Sequence, residues 1–166
     1  MLKIKKIIIL IVVLFPLMAV AATIDFDQYR EEKIYKDKPA KPNLASHKDA
    51  RTYRTVLRSE AKKGSNFAGQ YRFVEIGCGT ECIIVAVIDE RTGQVYFPEN
   101  IQYILWSKVV HEPFGPVYKP NSRLLIVYGQ INIDEAENGI SYYEWKNGEF
   151  RLIKFEPQIR EINKTK

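Results

Sequence analysis

Residues 71–97, YRFVEIGCGTECIIVAVIDERTGQVYF, decide the fold. Tyr71–Ile76, Cys82–Asp89 and Val95–Phe97 are rich in β-branched and aromatic residues, the composition that fits a pleated, half-buried surface, so each reads as a strand. Asp89-Glu90-Arg91-Thr92-Gly93 joins the second to the third as a hairpin-type turn ending in glycine. Gly77-Cys78-Gly79-Thr80-Glu81-Cys82 joins the first to the second, with glycines where the chain must bend.

Downstream the strand pattern continues. Ile101–Trp106 reads as a further strand or a short irregular segment, and the almost wholly apolar Arg123–Tyr128 as a central strand. Ile140–Trp145 and Phe150–Phe155 flank Lys146-Asn147-Gly148; Asn-Gly is a strong tight-hairpin signal because both residues tolerate positive φ. The residues after Pro157 read as a polar tail. Upstream the period changes to helical: Ala50, Tyr53, Leu57 and Ala61 form an apolar stripe beside Arg51, Arg54, Arg58 and Lys62. The predicted helix begins between Ser46 and Asp49 and runs to about Lys63, where Gly64 ends it. The expected fold class is α+β, an antiparallel β-sheet or small open barrel with one N-terminal helix packed on it.

The remaining N-terminal chain has two parts. Residues 1–22, MLKIKKIIILIVVLFPLMAVAA, place Lys3, Lys5 and Lys6 before an apolar run from Ile7 to Phe15, then Pro16 and small residues to Ala22. This pattern reads as a signal peptide for the general export route, the run being too short to span a bilayer. Residues 23–48 are polar, carry Pro39, Pro42 and several lysines, and read as an extended arm that Tyr29, Ile34, Tyr35 and Leu44 could pin to a single domain spanning 49–166. The expected location is periplasmic or secreted, with no stable membrane span after cleavage.

The formal charge of the 166-residue chain is +5, and removal of the three leader lysines leaves +2. Residues 30–63 hold eleven Lys/Arg against five Asp/Glu, and residues 64–166 eleven against thirteen. The basic part reads as a solvated helix face. It lacks the aromatic interleaving or reader motif of a nucleic-acid surface, so nucleic acid is not an expected partner.

Cys78 and Cys82 are the whole cysteine complement, and in an oxidising compartment the expected state is a disulfide bracing the turn. Thiol redox pairs place two residues between their cysteines at a helix N-terminus, whereas three residues lie between these, which enter a strand. A cysteine hydrolase would need a base, and the histidines are His47, at the arm–helix junction, and His111, in a Pro/Gly-rich loop. Two Cys and two His match no common zinc spacing. Asp134, Glu135 and Glu137 precede Asn138-Gly139 as a solvated turn, and no phosphate loop or serine elbow is present. No catalytic residue, metal site or cofactor is therefore assigned. The candidate binding residues are Gln70, Tyr71, Glu75 and Thr80 around the first hairpin, with His111, Phe114 and Tyr118 in a loop of ligand-binding type.

Asn66-Phe67-Ala68-Gly69-Gln70-Tyr71, Gly77-Cys78-Gly79-Thr80-Glu81-Cys82 and Asp89 to Gly93 together resemble a group of uncharacterised exported bacterial proteins sharing N-F-A-G-x-Y, G-C-G-T-x-C and D-x-x-T-G. The match covers roughly residues 50–97. That group often has His before the tyrosine and Trp before G-C-G-T; here Gln70 and Ile76 stand there. The resemblance implies an exported single domain and supplies no activity. The expected function is a non-enzymatic binding module for an envelope protein or cell-wall component, inhibitor- or immunity-like in its small size and disulfide-pinned loop. The alternative is a thiol redox protein or Cys-dependent hydrolase using Cys78 or Cys82.

Overall fold

A computed structural model describes residues 23–106, 113–132 and 137–158. The expected signal peptide, His111, Asp134, Glu135 and the tail from residue 159 lie outside the described residues. Helix α1 spans Arg54–Ala61, followed by strands β1 (Tyr71–Gly79), β2 (Cys82–Asp89), β3 (Val95–Tyr96), β4 (Tyr103–Leu105), β5 (Gly115–Tyr118), β6 (Leu124–Ile131), β7 (Asn138–Lys146) and β8 (Glu149–Pro157). The strands form one open antiparallel sheet in the order β1-β2-β4-β6-β7-β8. β3 shares an edge of β2 with β4, and β5 shares an edge of β6 with β4.

The α+β class with a helix on a sheet is what the sequence pattern implies, and the differences are local. The helical segment is shorter than expected. Lys48–Ala50 forms a 3-10 turn whose N-terminus is capped by the His47 ring accepting from the Asp49 N–H, and α-helix begins only at Arg54. Gly64 ends the segment at φ +77°. Gly115–Tyr118, expected to belong to a ligand loop, is strand β5, with Pro116 opposite Val127. Proline is tolerated because β5 is hydrogen-bonded on one side only, leaving its missing N–H without consequence. Asn147 and Gly148 both take positive φ and join β7 to β8 as a two-residue hairpin.

Two cores lie on the two sheet faces. Phe73, Val85, Val87, Leu125, Val127, Tyr143, Trp145 and Phe150 fill the inner face around Phe67. Phe73 of β1 meets Phe150 of β8 at 6.3 Å between ring centroids, although these strands are the two ends of the sheet. The sheet therefore curls around its aromatic core without closing. On the outer face, Val74, Ile76, Ala86, Ile88 and Val95 pack against Ala50, Leu57 and Ala61 of the helical segment. β2 is buried on both faces, which is why its sequence is an unbroken apolar run; β7, buried on alternate residues, alternates instead.

The basic arm lies along the domain. Glu31 N–H donates to Asn121 O, Tyr35 N–H to Gly69 O, Ala40 N–H to Glu90 O and Asn43 N–H to Gly93 O. Arg123 pairs with Glu31 of the arm and with Glu144 of β7, and the Lys119 ammonium sits 4.6 Å from the centre of the Phe26 ring. The arm crosses the turns at Gly69 and Gly93, where positive φ and a close arm carbonyl leave no room for a Cβ.

Candidate functional site

A polar opening on the surface follows from a break in sheet pairing. β3 covers only Val87 and Ile88 of β2, and β4 covers only Cys82–Ile84. Between them the chain leaves through Phe97-Pro98 and a 3-10 turn, Glu99–Ile101, before Gln102 O accepts from the Val85 N–H. The bowed connection leaves an open cleft of about 170 Å³ floored by Ile84 and Val85. The His47 ring stacks on Phe97 at 4.9 Å, and Tyr53 leans on the same ring at 5.8 Å. Tyr103 faces them, and Lys48, Asp49, Glu99 and Gln102 form the rim. Among the described residues no hydrogen bond or ion pair engages the side chains of Lys48, Glu99 or Gln102 or the hydroxyls of Tyr53 and Tyr103. His47 and Asp49 approach each other to 3.6 Å.

The hairpin between β1 and β2 carries a Cys78–Cys82 disulfide with a Cα–Cα distance of 5.3 Å. Gly77 pairs with Ile83 and Gly79 with Cys82, so Cys78 is an extra, bulged residue. The bulge turns its sulfur toward its partner, and Gly79 at φ +136° with Glu81 at φ +58° completes the turn. Thr80 is exposed at the tip.

The other residues singled out in the sequence fall into separate groups. The Gln70 amide donates to Asp89 at 3.0 Å and its oxygen accepts from Arg91, while Asp89 also accepts from the Arg91 N–H. Tyr71 is half-buried against Trp145, with ring centroids 5.4 Å apart; burial raises its phenol pKa, reinforced by Asp89. The Tyr118 hydroxyl donates to Glu75 at 2.9 Å, and its ring packs on Phe73 at 4.6 Å. Burial, then the Glu75 charge, raises the Tyr118 pKa. Phe114 is 45% exposed just before β5. The fold thus joins Glu75 to Tyr118 and Gln70 to the Asp89 turn, whereas no hydrogen bond or ring contact links Thr80 or Phe114 to either pair.

The motifs themselves have structural explanations. The Asn66 side chain accepts from the Phe73 N–H at 2.7 Å and donates to its carbonyl at 3.1 Å, bracing the 67–71 turn against β1. Ala68 and Gly69 in that turn both take positive φ. Glu90, in the D-x-x-T-G turn, is fully buried, and neither carboxylate oxygen has a hydrogen-bond partner among the described residues. Burial pushes its carboxyl up to about 7, Arg72 partly opposing and Asp89 adding to the rise. Arg72 itself bridges Glu60 of α1 and the Gly64 carbonyl.

No set of three or more His, Cys, Asp or Glu side chains that could hold a metal ion occurs among the described residues, and no helix there is long and apolar enough to cross a membrane. Sequence reading did not collect the cleft residues, because they come from the His47–Tyr53 segment before α1, from β2, and from the 97–103 connection into β4. The legible signal was the interruption of strand pattern at Phe97-Pro98-Glu99. The chain matches no protein-family model, no curated protein and no solved structure.

Proposed function

We propose that this chain is an exported binding module that engages an envelope component without chemical turnover. The observation that carries this reading is the cleft between His47 and Tyr103, where aromatic rings stand beside polar side chains that the fold itself leaves unused. Protein interiors satisfy their buried polar groups internally, and binding sites combine apolar walls with a few convergent polar groups left open to a ligand. The basic leader pattern, the likeness of the three motifs to exported bacterial proteins and the Cys78–Cys82 bridge support placement outside the cytosol. The exposed, disulfide-pinned Thr80 tip also suits an inhibitor-like contact, in which a braced loop enters a partner's groove at low ordering cost.

The competing reading is a thiol enzyme working through Cys78 or Cys82. The two separate in one experiment on the purified protein. Binding to isolated envelope material is measured for the parent and for the Cys78→Ser/Cys82→Ser variant, alongside native-state alkylation followed by mass. The binding reading expects saturable retention in both proteins and no alkylation of the parent. Rapid alkylation, with turnover that the double variant lacks, overturns it.

A further inference from the structure

We infer that the cleft between the helical segment and β4 takes a single ring of a neutral glycan; this rests on the binding-module reading and specifies its ligand. The lining rejects the other simple classes in turn. An anionic group would meet Asp49 and Glu99 together, and a cation, although drawn to those carboxylates, would meet the Lys48 ammonium in the same lining, so an ion of either sign faces a like charge. A purely apolar ligand would strip water from four polar side chains and two phenol hydroxyls without replacing their hydrogen bonds. A sugar ring avoids all three penalties. Each of its hydroxyls both donates and accepts, matching a rim that offers donors on Lys48 and Gln102 and acceptors on Asp49, Glu99 and the Gln102 carbonyl. Its C–H face is apolar and flat enough to lie on an aromatic ring, and His47, Tyr53 and Phe97 are already stacked or tilted together as a wall.

Size and position agree with this assignment. The cleft, at about 170 Å³, is below the roughly 300 Å³ at which drug-sized pockets begin, so it holds one ring of a longer chain and not a whole oligosaccharide. It is also partly open to solvent, so the bound ring could belong to a longer chain. Its floor is rigid, since Ile84 and Val85 belong to the doubly buried strand β2, and the Val85 N–H ties the Gln102 backbone in place. The position of Gln102 is therefore held by main chain while its side chain stays available.

The test uses the purified full chain and four probes: tri-N-acetylchitotriose and maltotriose as neutral glycans, trilysine as a cation, inorganic phosphate as an anion. Titration is followed by NMR or calorimetry. At least one glycan is expected to bind saturably, with a Kd on the order of millimolar as suits contact with one ring. Gln102→Ala, which leaves the backbone hydrogen bonds in place, should weaken that binding about tenfold. Glu99→Gln keeps an acceptor without the charge and should change it less than about threefold. Lys154→Ala, exposed on β8 and outside the cleft, should leave it unaltered. The inference is overturned if neither glycan saturates, if trilysine or phosphate binds more tightly than both, or if Gln102→Ala has no effect. Envelope binding that survives Gln102→Ala refutes the glycan assignment and leaves the binding-module reading standing, whereas turnover of a substrate refutes that reading itself.

Discussion

Glu90 sets a pH dependence whose sign is opposite to that of most carboxylates. Its side chain is fully buried in the turn after β2, where the arm's Ala40 N–H binds its backbone carbonyl. Burial lifts the carboxyl from an ordinary 4.5 to about 7 in the folded protein. Between these values the folded chain keeps a proton that the unfolded chain has released, so stability falls as pH rises. Stability is complete below about 4.5, declines by about 1.4 kcal/mol per pH unit, and levels off above about 7. The total is about 3 kcal/mol, a large share of a typical domain's stability. Glu60 acts in the other direction. Burial raises its carboxyl, but the bonds to Lys63 and Arg72 outweigh that and hold it below 4.5. Its contribution is present above that value and is lost on acidification, outside the Glu90 window. The assay is urea unfolding followed by the fluorescence of Trp106 and Trp145, between about pH 5 and about pH 8. The parent should lose stability across that range. Glu90→Gln should be flat and, at the alkaline end, more stable than the parent by up to about 3 kcal/mol, less about 1 kcal/mol for an amide without a partner. Parallel curves for the two proteins, or a parent that gains stability from pH 5 to 7, would refute the reasoning.

Other perturbations test the frame around the site. Replacing Cys78 and Cys82 by serine opens a five-residue loop, and the chain-entropy estimate puts the loss at about 2 kcal/mol, read as a lower urea midpoint with an unchanged slope. Gly93→Ala places a Cβ against the Lys41 carbonyl at a positive φ. It should cost about 2 kcal/mol and make the arm more readily cleaved in limited proteolysis, while an unchanged cleavage rate would show that the crossing does not hold the arm. Asn66→Ala removes both side-chain bonds to the Phe73 backbone and should destabilise by about 2 kcal/mol in thermal unfolding.

Much of the architecture was legible along the chain because strands and turns announce themselves locally. Cys82–Asp89 was readable to the residue, since a run apolar on both faces admits few alternatives, and Asn147-Gly148 specified its hairpin through a conformation other residues resist. Strand β5 was hidden by Pro116, which reads as a loop unless the neighbouring edge is known to be free. The helical segment looked longer than it is because the 3-10 turn and α1 share one apolar stripe.

The site was legible only in fragments. Gln70, Tyr71, Glu75 and Tyr118 stood out by residue type, yet sequence spacing cannot say that Gln70 binds the Asp89 turn while Tyr118 reaches Glu75 from a strand 43 positions away. Local chemistry alone determined the strand-rich class, the tight turns and the pairing of two nearby sulfurs, because each depends on residues within one turn or one strand of each other. Tertiary structure alone decided the curl of the sheet, the burial of Glu90 and the gathering of the cleft from three separate segments. Those features arise from contacts between elements remote in sequence, and such contacts leave no period or spacing in the chain to be read.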